Sequence, residues 1–252
     1  MTSLDEEIVE ITEFGPLVRT SDGSYTVRHG DHGQDFHSSE GAKFEAWNLY
    51  VLASGYKDTL RMSNGPDIRI LDVGMGLGYN AAATIAAWLE SDGTVNVNMT
   101  SLEIDRRLVE ALIGGKAPWQ RGWSSGWLMG PKLLIAESGS YRALLKHPKS
   151  DCFFSWKIEV GDAFLKDLTS LEFPFDFIWQ DPFTPELNPV MWSKNWFTKL
   201  REVASQKTIL VTYSVARVVK DALSEAGWHH RRFPTPGKKR HWLQATILRS
   251  DD

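Results

Sequence analysis

The segment DIRILDVGMGLGYNAAATIAAWLE, residues 67–90, constrains the fold more than any other part of the chain. Ile68, Ile70 and Leu71 form a short apolar run of strand type. It leads directly into Gly74, Gly76 and Gly78, which remove side chains where backbone must turn tightly and approach a ligand. From Asn80 onward the composition is that of an Ala-rich helix. A strand, a glycine turn and a helix make one βα unit, and the pattern recurs downstream. VNVNMTSLEID reads as a second strand with acids at its C-terminal end, and SWKIEVGDAFLKDL as a strand running into a turn and helix. FPFDFIWQDPFTPELNPVMW begins as a buried strand and ends abruptly at Asp-Pro-Phe, with Pro185 and Pro189 forbidding any regular continuation. TILVTYS is a further strand, ARVVKDALSEAGW an amphipathic helix and HWLQATILR a closing strand. Strands alternating with helices predict an α/β fold with a doubly wound, mostly parallel sheet.

Two segments lie outside that rhythm. Residues 1–55 are expected to hold short strands, including a hairpin around Ser21-Asp22-Gly23 in LVRTSDGSYTVRHG, followed by a helix over HSSEGAKFEAWNLYVLAS. Ser38 or Ser39 is positioned to cap that helix, and Phe44, Trp47 and Val51 share a face. Residues 114–154, with three Trp, interrupt the core at 66–252 and read as an insertion at the edge of the fold, partly helical around Tyr141 to Lys146. A single domain over 1–252 is expected.

Composition excludes some classes. Cys152 is the only cysteine, so an intramolecular disulfide and a Cys-based zinc site are both ruled out. The start, MTSLDEEIVEI, has no basic region before an apolar core, and no apolar run approaches the roughly 20 residues of a membrane span. A cytoplasmic protein without membrane contact is expected. Net charge is −4, which by itself does not favour nucleic acid. HHRRFPTPGKKRH, residues 229–241, nevertheless holds five of the 28 Lys and Arg. His29, His32 and His37, with Asp31 and Asp35 between them, do not have the spacing of a helix-borne metal pair, and no metal is expected.

In open α/β sheets ligands bind beyond the carboxyl ends of the strands. Four features fall there. The turn at Gly74, Gly76 and Gly78 is a variant of G-x-G-x-x-G in which the third glycine comes early and Asn80 follows. Glu103 stands at the end of the next strand, where a carboxylate accepts two hydrogen bonds from a ribose diol or is simply solvated. Asp162 either takes a hydrogen bond from an adenine amino group, with Phe164 beside the base, or caps a helix. Asp181 either holds a nucleophile's N–H, with Pro182 and Phe183 shaping the pocket, or stabilises its turn.

That order of features resembles the class I S-adenosylmethionine-dependent methyltransferases, with their Rossmann-like sheet. QDPFTPELNPVMW resembles the D-A-F-x-P-x-x-N-P-x-M-W signature of the methyltransferase domain of the MnmC family. HSSEGAKFEAW, the glycine turn ending in Asn80, TYSVARVVKDALSEAGW and PGKKRHWLQA agree with it in order, from about His37 to Ala245. The resemblance implies S-adenosylmethionine as cofactor and 5-aminomethyl-uridine at the tRNA wobble position as methyl acceptor. It further implies tRNA as partner and an oxidase that supplies the aminomethyl precursor. A stand-alone transferase, without the oxidase domain of bifunctional members, is expected on this resemblance. It also implies that Asp181 aligns the amine and that Gly74, Gly76, Gly78, Asn80, Glu103, Asp162 and Glu45 face the cofactor. Phe183 and Tyr213 would line the acceptor pocket, with Lys238, Lys239 and Arg240 toward phosphate. Trp119, Trp123 and Trp127 either stack an extruded base or pack within the insertion.

Departures are visible. Pro182 replaces the usual Ala, the turn lacks Phe-Gly-Thr, and no Lys precedes Asn188. A small-molecule or protein amine is therefore the alternative acceptor. A nicotinamide oxidoreductase and a non-catalytic S-adenosylmethionine-binding module are the remaining alternatives.

Overall fold

The computed structural model describes residues 8–30, 33–62, 65–237 and 241–247. Three short strands come first: β1 (Ile8–Thr12), β2 (Gly15–Arg19) and β3 (Tyr25–Val27). They form a small antiparallel sheet in the order β1-β2-β3. Leu17 pairs with Val27 and Arg19 with Tyr25, so the Ser21-Asp22-Gly23 turn does close a hairpin.

Next comes a helical segment, α1 (Ala42–Glu45) continuing as a π-helix over Ala46–Ala53, and then α2 (Tyr56–Met62). Neither Ser38 nor Ser39 caps α1; its N-cap is Gly41, with no side-chain cap of its own. The cap arrives from the hairpin instead. Asp22 Oδ2 accepts the Phe44 N–H at 2.7 Å, and Ser24 Oγ accepts the Ala42 N–H at 3.0 Å. Asp22 Oδ1 also takes the Ser24 N–H at 2.8 Å and the Thr20 hydroxyl at 2.9 Å. One carboxylate thus ties the hairpin turn to a helix start that would otherwise present unpaired donors. Asp22→Ala removes this cap and is expected to cost about 1–3 kcal/mol. A melting temperature lower by roughly 3–10 °C would show it; an unchanged one would remove Asp22 from this role.

The core follows as β4 (Ile68–Val73), α3 (Tyr79–Glu90), β5 (Val97–Glu103), α4 (Arg106–Leu112), α5 (Ser125–Leu133), β6 (Ile135–Glu137), β7 (Ser140–Lys146), β8 (Phe153–Val160), β9 (Phe175–Gln180), α6 (Lys194–Glu202), β10 (Ala204–Thr212), α7 (Arg217–Glu225), β11 (His229–Pro234) and β12 (His241–Thr246). Nine strands form one sheet in the order β11-β12-β10-β9-β4-β5-β8-β7-β6. The central pairs β10/β9, β9/β4, β4/β5 and β5/β8 are parallel. The flanking pairs at both edges are antiparallel. One buried cluster joins the N-terminal hairpin, α3, α4 and the Trp-rich segment on one face of the sheet. A second cluster holds α6, α7 and the segment Pro189–Trp192. Chain order reverses between β4 and β9, which makes their C-terminal ends the topological switch point.

The 114–154 segment does extend one edge of the sheet, through β6 and β7, but Tyr141 to Lys146 is strand, not helix. The Ser140–Lys146 burial pattern alternates, with Tyr141, Ala143 and Leu145 inside and Leu144 outside. The helix of the segment is α5, which packs on α3. Gly130 permits that approach, because a Cβ there would stand 2.5 Å from Ile85 Cδ1. The expected helix after Val160 is also absent: residues 163–165 form a turn, followed by a single 3₁₀ turn at Leu168–Ser170.

Candidate functional site

A cavity of about 730 Å³ opens at the switch point. That lies within the range of roughly 300–1,000 Å³ typical of small-molecule sites. Of the residues singled out in the sequence, Glu45, Gly74, Gly76, Glu103, Asp162, Asp181, Phe183 and Tyr213 line it. They come from six separate stretches of chain, and only the sheet order brings them together.

The β4 end makes the floor. Gly74, Gly76 and Gly78 have φ of +81°, +53° and +79°, a region that L side chains rarely adopt. Gly74 also touches the loop after β9, where an added Cβ would lie 2.9 Å from the Asp181 carbonyl oxygen. Gly78 and Asn80 do not line the cavity. Gly78 is the N-cap of α3 and sits against Leu112. Asn80 stands behind Asp181 and donates to its Oδ2 at 2.8 Å.

Glu103 is held from two sides. Its Oε2 accepts the Gly76 N–H at 2.7 Å and its Oε1 the Asp105 N–H at 2.8 Å. With a further backbone bond from Ile104, the carboxylate still keeps acceptor capacity for a ligand hydroxyl. Burial pushes the carboxyl up to about 7. The same cause raises Asp72 to about 6. A carboxyl raised in the folded state contributes stability that is present at low pH and lost as pH rises through its folded value. Ligand-free protein is therefore expected to lose several degrees of melting temperature between about pH 4.5 and 7. Glu103→Gln should flatten that loss. An unchanged slope in the variant would show that Glu103 is not its source.

Asp162 Oδ1 accepts the Phe164 N–H at 2.8 Å, so it closes a turn and caps no α-helix. Lys199 fixes that turn, donating to the Phe164 and Lys166 carbonyls at 2.6 and 2.8 Å. Its ammonium also lies 5.6 Å from the Phe164 ring centroid.

Asp181 begins the proline-rich loop, and its N–H is anchored to the Val73 carbonyl at 2.9 Å. Four bonds then clamp the loop. Tyr213 donates its hydroxyl to the Pro182 carbonyl at 2.8 Å, and Trp192 Nε1 donates to the Phe183 carbonyl at 2.7 Å. Gln180 Nε2 donates to the Met191 carbonyl at 2.6 Å, and Trp196 Nε1 to Gln180 Oε1 at 2.9 Å. Met191 and Trp192 are buried, as expected of anchors. Asn188 closes the turn through its backbone N–H, 2.8 Å from the Thr184 carbonyl. Burial, then the nearby Glu45 carboxylate, push Asp181 well above the ordinary carboxylate range.

One wall is aromatic. The Phe36 and Phe183 ring centroids are 4.9 Å apart, and His29 lies 5.4 Å from Phe183. Phe36 had no signal in the sequence beyond its place just before HSSEGAKFEAW. Trp119, Trp123 and Trp127 are not on the cavity wall. Trp119 is buried with Nε1 on the Leu77 carbonyl at 2.9 Å, and Trp123 and Trp127 pack edge-on against Tyr79. Lys238, Lys239 and Arg240 lie outside the described residues, as do Asp31 and His32.

The site therefore combines a floor of close-packed backbone, a strand-end acid with free lone pairs, an aromatic wall and a rigidly mounted carboxylate. Residues 145–247 match a family of S-adenosyl-L-methionine-dependent methyltransferases. That match contains Asp162, Asp181 and Tyr213, while the glycine turn and Glu103 lie before it. The chain is 28% identical over 225 residues to the tRNA 5-methylaminomethyl-2-thiouridine biosynthesis bifunctional protein MnmC of Azoarcus sp. (strain BH72), covering 89% of this chain and 34% of that protein. It is 29% identical over 243 residues to the protein of the same name from Delftia acidovorans, covering 92% and 35%. Among solved structures it is similar to MnmC2 from Aquifex aeolicus, with a TM-score of 0.76 and 25% identity over 96% of this chain and 72% of that one. Over most of its length the chain is thus similar to the methyltransferase part of MnmC proteins, and over residues 145–247 to a family of S-adenosyl-L-methionine-dependent methyltransferases. It spans about a third of the length of the curated relatives it matches.

The cavity fits that cofactor. Two positive-φ glycines on its floor, Gly74 and Gly76, allow a ligand close to backbone, and Glu103 on the wall offers acceptor oxygens to a diol. No helix among the described residues is long and apolar enough to cross a membrane.

Proposed function

We propose that this methyltransferase acts on a primary amine, that of 5-aminomethyl-uridine at the wobble position of tRNA. The observation that carries the reading is the Asp181 carboxylate, mounted on a clamped loop at the cavity and backed by Asn80. Bound S-adenosylmethionine supplies a methyl carbon made electrophilic by its sulfonium. Gly74, Gly76, Glu103 and Asp162 would hold it, with Glu45 toward its amino-acid end. Phe183 and Phe36 present an apolar face suited to the flat ring of the acceptor base, and Tyr213 fixes the loop beneath it. Asp181 accepts an N–H of the neutral amine, which aims the nitrogen lone pair and holds the reactants in line. As the N–C bond forms and the sulfur–methyl bond breaks, with its electron pair left on a neutral thioether, the nitrogen becomes cationic, and the two buried acids Asp181 and Glu45 would stabilise that charge. The surplus proton then leaves to Asp181 or to solvent. The named biosynthetic role of the MnmC relatives and the similarity along the chain support tRNA as the substrate. In this reading the protein works in the cytoplasm, and an oxidase supplies the aminomethyl precursor.

The test is mass spectrometry of nucleosides from tRNA bearing 5-aminomethyl-uridine, incubated with protein and S-adenosylmethionine. A gain of one methyl mass on that nucleoside is the expected result. No gain, from protein shown to bind the cofactor, rejects this acceptor and moves the search to small-molecule or protein amines.

A further inference from the structure

Behind Asp181 lies a second buried group that the chemistry above does not use. Tyr50 is fully buried, and its hydroxyl has no hydrogen-bond partner among the described residues. A buried phenol ordinarily finds a partner, since leaving it unpaired costs free energy. Its ring packs edge-on against Trp179, with centroids 6.1 Å apart, and Trp179 stands two residues before Asp181. Burial, and after it the Asp181 charge, hold the Tyr50 phenol protonated, and Tyr50 in turn favours the Asp181 charge.

The local backbone explains how it gets there. Tyr50 lies in the π-helix Ala46–Ala53, and Glu45 immediately precedes it. At about 100° per residue, an α-helix would place two positions five apart on faces about 140° away from each other. A π-helix closes its hydrogen bonds between residues five apart, as the Ser54 N–H does on the Leu49 carbonyl at 3.2 Å. Residues five apart then stack. The widened turn thus brings Glu45 and Tyr50 toward the same side of the helix, and both act on the Asp181 charge. Such turns inside helices recur at functional sites.

We propose that Tyr50 is a positioning residue for the methyl transfer, donating its hydroxyl to Asp181 and holding that carboxylate ionised and oriented toward the acceptor amine. Asn80 donates to Oδ2 of Asp181, and the proposed Tyr50 bond falls on the other side of the carboxylate. The groups facing Asp181 are Glu45 and Asp72, which oppose its charge, Tyr50 and Asn80, which favour it, and Tyr213, whose own phenol its charge holds protonated. This inference rests on Asp181 being the group that meets the acceptor.

The test separates the two claims. In ligand-free protein with carboxyl-labelled aspartate, the titration of Asp181 is followed by carbon NMR. Removing a donor destabilises the ionised form, so Tyr50→Phe should raise the Asp181 midpoint by half a unit or more. Tyr56→Phe, at an equally buried neighbour, should leave it unchanged and reports what loss of a buried hydroxyl does to the fold. Turnover by Tyr50→Phe should fall about tenfold at neutral pH, with cofactor affinity within twofold of wild type because Tyr50 does not line the cavity. An Asp181 midpoint equal to that of wild type overturns the proposal. Should Tyr50→Phe fail to fold, the Tyr50 Cζ resonance reports the same contact from the other side. It shifts on Asp181→Asn if the two are bonded, and its constancy refutes the bond. Absence of product on tRNA with the wild-type protein would count against the acceptor alone, since the titration needs no substrate.

Discussion

Replacing Asp181 by Asn is expected to lower the rate of methyl transfer by about 10²–10⁴-fold, while the protein melts no lower than wild type. The amide keeps the bond to Asn80, which its oxygen accepts as the carboxylate does. What it loses is the negative charge proposed to receive an amine N–H and to stabilise the cationic nitrogen. What it gains is relief from a buried charge close to Glu45. Burial and Glu45 both raise the Asp181 carboxyl, so its ionised form weakens the fold. Stability associated with this group is present below the ordinary carboxylate range and lost as pH rises through its folded value. Asp181→Asn should therefore melt higher than wild type at neutral pH and equal to it in acid. Calorimetry at two pH values, beside single-turnover kinetics, checks both halves. A variant with undiminished turnover would remove Asp181 from the chemistry. A variant destabilised at neutral pH would show that the carboxylate serves the loop rather than the substrate.

That trade of stability for a placed charge explains why the site was legible from sequence. Glycines, and acids such as Glu103 and Asp181 at strand ends, break local pattern, and broken pattern is visible in one dimension. The central sheet followed from the apolar runs at Ile68–Val73 and Phe175–Gln180. Non-local effects were less visible. The cap on α1 comes from Asp22, about twenty residues upstream, so the nearby serines were misleading. SYRALLK spaces Tyr141, Leu144 and Leu145 at helix-like intervals, yet pairing with β8 makes it a strand with Leu144 outward. The helices α2, α4 and α6 and the edge strand β11 carried no expectation, and β11 was visible only as a basic run. Tyr50 had no signal at all. Its facing depends on a widened helical turn, which residue periodicity does not encode.

Substituting Gly74 by Ala is the second change expected to have a large effect, because it strikes both loops of the switch point at once. The residue has φ +81°, where an L side chain costs about 1–2 kcal/mol. Its new Cβ would also stand 2.9 Å from the Asp181 carbonyl oxygen and 3.0 Å from Pro182 N and Cα. Those atoms are backbone, and Tyr213 and Trp192 hold that backbone through the Pro182 and Phe183 carbonyls, so it cannot yield cheaply. Separation of the two loops would also disturb the Asp181 N–H bond to Val73. A loss of about 2–4 kcal/mol and a melting temperature lower by roughly 5–15 °C are expected. Cofactor affinity should fall at least tenfold, with turnover reduced further because Asp181 moves with its loop. Gly76→Ala is the informative contrast. Its Cβ would meet the Phe36 ring at 3.1 Å, a side chain that can give way. It should cost less stability while still narrowing the cavity floor and weakening cofactor binding. If Gly74→Ala proved no more damaging than Gly76→Ala, the contact between the glycine turn and the Asp181 loop would not be what aligns the two halves of the site.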